Sequence, residues 1–202
     1  MEMRRNRVRF ATAAMLMSIL VSCMTMPETK IFSLYRPIEE ERILCKSDLS
    51  IHVFTNAPKH LSQPYIIYRK SDFELDTARY AKWDSAPDET INNTYRLALS
   101  PLFRDIVITR YQDRKAHQVA IELRRFERLD EGEKSFAALE YDFFLRSPDG
   151  REIYHRKVMK KEALETRDNL NLAMAMSAAL MESVEEVIAD LGGIMSSAPA
   201  AK

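Results

Sequence analysis

Four histidines and two cysteines are the side chains of this 202-residue chain best suited to metal or nucleophilic chemistry, and their spacing gives little of either. His52, His60, His117 and His155 are dispersed, three of them in strand-like stretches, and no pair has zinc-ligand spacing. No serine elbow is present, and four glycines (Gly132, Gly150, Gly192, Gly193) leave no room for a phosphate loop. Carboxylates are plentiful, but they stand in charge-rich strands that read as solvated faces. Cys45 reads as a small buried apolar residue, with intermolecular pairing as the alternative, and two cysteines cannot build a disulfide framework. The sequence therefore predicts a protein that is not an enzyme and uses no metal or cofactor. Cys23 is different, because it stands directly behind an apolar run.

That run has a cationic front. Arg4, Arg5, Arg7 and Arg9 precede Phe10 to Leu20, which only Thr12 and Ser18 interrupt. At about 1.5 Å per residue such a stretch is too short to cross a hydrocarbon core of about 30 Å. A positive head and a short apolar core read as a secretory signal. The alternative, a buried N-terminal helix, would have to place four arginines beside a core. Leu20-Val21-Ser22-Cys23 then resembles the lipobox of bacterial lipoproteins. The resemblance implies cleavage between Ser22 and Cys23, a thioether-linked diacylglyceryl group on the thiol and acylation of the new amine. Each buried methylene contributes about 0.8 kcal/mol, so several acyl chains anchor durably where one does not. Met24, not Asp, follows the cysteine. Asp there favours inner-membrane retention, so the resemblance implies the outer membrane, on its periplasmic face. In that setting the sequon-like Asn92-Asn93-Thr94 is coincidental.

The whole chain balances 30 basic against 30 acidic residues, and loss of the arginine-rich signal leaves a slight acidic excess. Nothing in this balance draws the protein to nucleic acid. A hydrophobic share of 46% suffices for a core. The organisation expected is a signal peptide over 1–22, a lipidated tether over 23–30, one domain over 31–193 and a disordered tail over 194–202.

The domain reads as α+β. "IFSLYRP" is a first strand and "LSIHVFTN" a second, with Ile51 and Val53 on one face. "PYIIYR" and "FELDTARYAKW" form a hairpin around Lys70, Ser71 and Asp72. A helix follows, capped by Ser85, with Pro87 and Asp88 in its first turn, Ile91, Tyr95 and Ala98 at helical spacing and Pro101 at its end. "IVITRY", "HQVAIELRRFERL" and "SFAALEYDFFLRS" are strands. In the last, Ala137, Leu139, Tyr141, Phe143 and Leu145 share one face, and Glu140 and Asp142 the other. "DEGEK" and "SPDG" are turns, the second leading into the strand "REIYHRKVMKKEA". A long helix from about Asp168 to Leu191 carries Leu170, Ala173, Met174, Ser177, Met181, Val184, Ile188 and Leu191 as its core stripe, and Gly192-Gly193 stop it. The fold expected is a mainly antiparallel sheet packed with two helices.

Pro58, Leu61 and Pro64-Tyr65-Ile66-Ile67-Tyr68-Arg69, then Trp83 and the helix from Ser85, give an order that resembles the ABC-type transport auxiliary lipoproteins. The layout agrees over nearly the whole chain behind the signal, with specific residues across about Ile51 to Leu102. "AKWDSAP" departs from the family, which has arginine before the tryptophan and an acidic-proline stretch after it. The resemblance implies a partner role: an outer-membrane lipoprotein serving an ABC transporter whose periplasmic component is an MCE-domain protein, in lipid traffic between membranes. A homo-oligomer is compatible with that role. The competing reading is a structural envelope lipoprotein that works without a transporter. Tyr65, Tyr68 and Arg69 are the candidate partner-binding residues, since Tyr and Arg are enriched at binding hot spots and an edge strand here could accept a partner segment.

Overall fold

The computed structural model describes residues 27–35, 47–107 and 116–197. Ser22, Cys23 and Cys45 lie outside the described residues, as do the signal and positions 198–202 of the tail.

The sheet is organised around one long strand. Counting in chain order, β1 is Lys30–Phe32, β2 Ser47–Asn56, β3 Tyr65–Ser71, β4 Glu74–Trp83, β5 Phe103–Val107, β6 His117–Glu131, β7 Lys134–Arg146 and β8 Glu152–Ala163. One edge of β6 pairs antiparallel with β7 along its whole length, from Gln118↔Arg146 to Glu131↔Lys134, and β7 pairs antiparallel with β8. Gly132 has φ of 62°, the left-handed region that the first central position of this two-residue hairpin turn requires. Alternation between the two faces then follows from the extended backbone. Ala137, Leu139, Tyr141, Phe143 and Leu145 are all buried, as their spacing predicts.

The other edge of β6 is shared. Its first half pairs parallel with β2, from Ile51↔His117 to Asn56↔Glu122. Its second half meets β3, also parallel, at Tyr68↔Arg128 and Arg69↔Leu129. A register shift between Leu123 and Arg125 separates the halves, and such irregularities bend a strand and raise its local twist. β4 continues from β3 as an antiparallel hairpin, β1 lies parallel to β4, and β5 lies parallel to β2. The result is an eight-stranded mixed sheet in which most paired residues are antiparallel. Its parallel pairs were not legible as such, because they depend on crossovers rather than local alternation.

Two helices complete the α+β domain. Helix α1 (Pro87–Leu99) packs on β2 and α2 (Asn169–Ser197) on β7 and β8, and the helices touch each other. Ile91, Tyr95 and Leu99 of α1 and Leu172, Met176, Leu180, Val184, Val187 and Leu191 of α2 meet Ile51, Val119, Ile121, Phe126, Leu139 and Tyr141 in the core. Each fully buried aliphatic side chain contributes about 1.5–3 kcal/mol.

Three local expectations change. Ser85 does not cap α1. Ala86 occupies that position without a side-chain bond, Pro87 opens the helix, and Asp88 and Glu89 supply first-turn negative charge. Helix α2 does not stop at Gly192-Gly193 but runs to Ser197, so the first part of the expected disordered tail is helical. A glycine ends a helix by turning left-handed, and neither of these has positive φ. The expected core stripe of α2 holds in part: Ala173, Ser177, Val184 and Leu191 are buried, together with Leu172, Met176, Ala179, Leu180 and Val187, whereas Leu170 is 60% and Met174 63% exposed. The start of α2 is fixed by Asp168, whose Oδ1 accepts the Asn171 N–H at 2.8 Å.

Candidate functional site

The three residues expected to bind a partner sit on one strand but do not form one surface. β3 lies between β4 and β6, so it is not the edge strand that main-chain addition would need. Tyr68 turns toward the helices. Its hydroxyl donates to Asn169 Oδ1 at 2.7 Å, and the Arg128 guanidinium lies 3.8 Å from its ring centre. Arg69 makes a bidentate ion pair with Glu127: Nε bonds Oε1, and Nη2 reaches Oε2 at 3.1 Å. Glu127 is 1% exposed, so the pair is a buried structural clamp. The Glu127 hydrogen bond raises the Arg69 pKa further above its ordinary value. Removing one partner of such a buried pair costs about 3–5 kcal/mol by stranding the other charge. Tyr65 alone presents a large side chain to solvent, at 49% exposure.

The sheet face away from the helices is covered by paired charge. Asp142 is nearly buried between Arg124 at 2.6 Å and His155 at 2.9 Å. Burial raises its pKa, but His155 and Arg124 outweigh that and hold it below the usual carboxylate range. His155 stacks on Phe144, with ring centres 4.3 Å apart, and Arg146 covers the other end of the row. On the helix side, Arg156 binds Glu186 and Asp190 of α2, and Lys160 binds Glu182 and Glu186. These ions fasten β8 to α2. Among the described residues no group of His, Cys, Asp and Glu could hold a metal ion.

Sequence reasoning missed one feature. An apolar groove of about 760 Å³ runs between β1 with the residues after it and the first turns of α2. Ile31, Phe32 and Tyr35 form one wall, and Leu170, Met174 and Met181 the other, with Ala173, Ser177 and Ala178 between them. The Tyr35 N–H donates to Ser177 Oγ at 3.1 Å, which fixes the chain after β1 against the helix. The signal was present in α2, whose apolar residues cover a wider arc than one core stripe needs.

The geometry defines a single α+β domain with an apolar groove beside its long helix. Residues 55–188 match the model of the ABC-type transport auxiliary lipoprotein component, and the chain belongs to that family. The family is an auxiliary, non-catalytic component of ABC transport. The fold is also that of protein XCC0632 from Xanthomonas campestris, with a TM-score of 0.70, 19% identity, and coverage of 84% of this chain and 99% of that one. A second solved structure, of an uncharacterized protein, aligns with a TM-score of 0.61 at 16% identity, covering 81% of this chain and 99% of its own. No curated protein matches the sequence.

Proposed function

We propose that this protein is the membrane-anchored accessory lipoprotein of an MCE-type ABC transport system, tethered through Cys23 to the periplasmic face of the outer membrane. In that role it is the outer-membrane partner in lipid movement between the two membranes. The observation that carries the reading is the family match over residues 55–188 in a chain that also holds Leu20-Val21-Ser22-Cys23 behind a signal-like segment. The family supplies the transporter, and the motif supplies the anchor.

The partner contact is assigned to the surface around Tyr65, with Tyr68 and Arg69 setting the position of the strand beneath it. Tyr65 is the exposed aromatic of the three, and tyrosine is favoured at interface hot spots. Tyr68 and Arg69 are engaged within the domain by Asn169, Arg128 and Glu127. The test is binding of the full lipidated chain to a purified MCE-domain periplasmic protein from the same organism. Tyr65→Ala should weaken binding at least tenfold without changing the melting temperature. Equal binding by wild type and variant would remove Tyr65 from the interface, and no binding by either would reject the partnership.

A further inference from the structure

The groove between β1 and α2 is an exposed apolar feature that the fold does not itself consume. Ile31 is 62%, Tyr35 76%, Leu170 60% and Met174 63% exposed, and all four line the same groove. Its volume of about 760 Å³ falls in the range of ligand sites, about 300–1,000 Å³. The serine hydroxyls in its lining are already committed. Ser33 donates to Asp84 at 2.7 Å, and Ser177 donates to the Ala173 carbonyl at 2.6 Å while accepting from Tyr35. Apart from the Tyr35 hydroxyl, what remains is mainly hydrocarbon, with methionines able to adjust to an irregular chain.

The length of chain in front of the groove decides what can reach it. Seven residues separate Cys23 from Ile31, and the eight fully extended steps between them span at most about 29 Å. That is no more than the hydrocarbon thickness of a bilayer, about 30 Å. An anchor on Cys23 therefore keeps the groove at the membrane surface, where acyl chains are the abundant apolar partner. We propose that the groove takes one acyl chain of a bilayer phospholipid at the membrane to which the domain is tethered. The inference rests on the anchored reading above but not on the identity of the transporter.

The test uses the full lipidated chain in vesicles of phosphatidylethanolamine and phosphatidylglycerol, doped with a phospholipid carrying a photoactivatable diazirine on one acyl chain. Flotation reads the anchor, and mass spectrometry of irradiated protein reads the groove. The expected adducts lie in the peptides covering Ile31–Tyr35 and Leu170–Met181. Ala178→Trp, which fills the groove from the helix side, should lower them at least fivefold while flotation stays complete. Leu170→Glu at the rim should do the same, and both variants should keep the wild-type melting temperature. Floated protein with no groove adducts overturns the proposal, and so does labelling no higher than at fully exposed Phe73. Cross-links between those peptides and a second protein, formed by a bifunctional reagent in place of the lipid adducts, would overturn it in favour of a second copy or a peptide partner. Loss of flotation would instead overturn the anchored premise.

Discussion

Tyr95, Tyr141 and Ser183 form a buried hydroxyl relay through the centre of the domain. Tyr95 and Tyr141 share a hydrogen bond of 2.5 Å, Tyr141 donates to Ser183 Oγ at 2.8 Å, and Ser183 donates to the Leu180 carbonyl at 2.8 Å. The relay joins α1, β7 and α2, and its direction makes Tyr95 the first donor. Tyr141→Phe removes the acceptor of Tyr95 and strands a buried donor, which costs about 1–3 kcal/mol. Tyr95→Phe removes the donor and leaves Tyr141 bonded to Ser183, so it should cost about 1 kcal/mol or less. The double variant should be more stable than the two losses added together, as urea unfolding of all four proteins would reveal. Burial, the largest influence, pushes the Tyr141 hydroxyl up to about 12, and burial also drives Tyr95 well above its ordinary value. A tyrosine in the unfolded chain loses its proton near about 10. Stability from the neutral, buried hydroxyls is therefore fully present below about pH 10 and declines as pH rises through about 12. Unfolding midpoints across that window should fall in wild type and fall less in the double Phe variant.

At the scale of elements, α2 is the most informative. It has two apolar faces, one spent on the sheet and one on the groove. Met176 is fully buried, so Met176→Asp should destabilise the domain by several kcal/mol, of the order of about 3–5, or prevent folding. Met174→Asp, on the exposed face, should change stability by about 0.5 kcal/mol or less. Equal melting temperatures for Met176→Asp and wild type would place the helix face wrongly. The same helix shows why only part of the architecture was legible. Strands β6, β7 and β8 were readable because two-residue alternation is local, and Gly132 and Gly150 mark their turns. The expected stripe of α2 places Ala173, Ser177, Val184 and Leu191 correctly in the core but also includes the exposed Leu170 and Met174, because apolar residues on both faces satisfy more than one helical phase. The clamp of Arg69 on Glu127 was not legible at all. It joins positions 58 residues apart, and nothing in "PYIIYR" says that its strand is enclosed by β4 and β6.

The whole molecule is read as a domain on a short leash. The motif at Leu20 to Cys23 proposes the anchor, the family gives the transport setting, and the groove between β1 and α2 is the surface proposed to meet that membrane. Cys23→Ala should leave an uncleaved precursor that incorporates no labelled fatty acid, and normal acylation of the variant would dismiss the anchor. The most direct test of the transport assignment is capture of the tagged full chain after cross-linking in intact cells, with its companions identified by mass spectrometry. Recovery of an MCE-domain protein together with its ABC permease and ATPase is the expected result. Recovery of envelope-structural proteins alone, with none of those components at any cross-linker length, would contradict it.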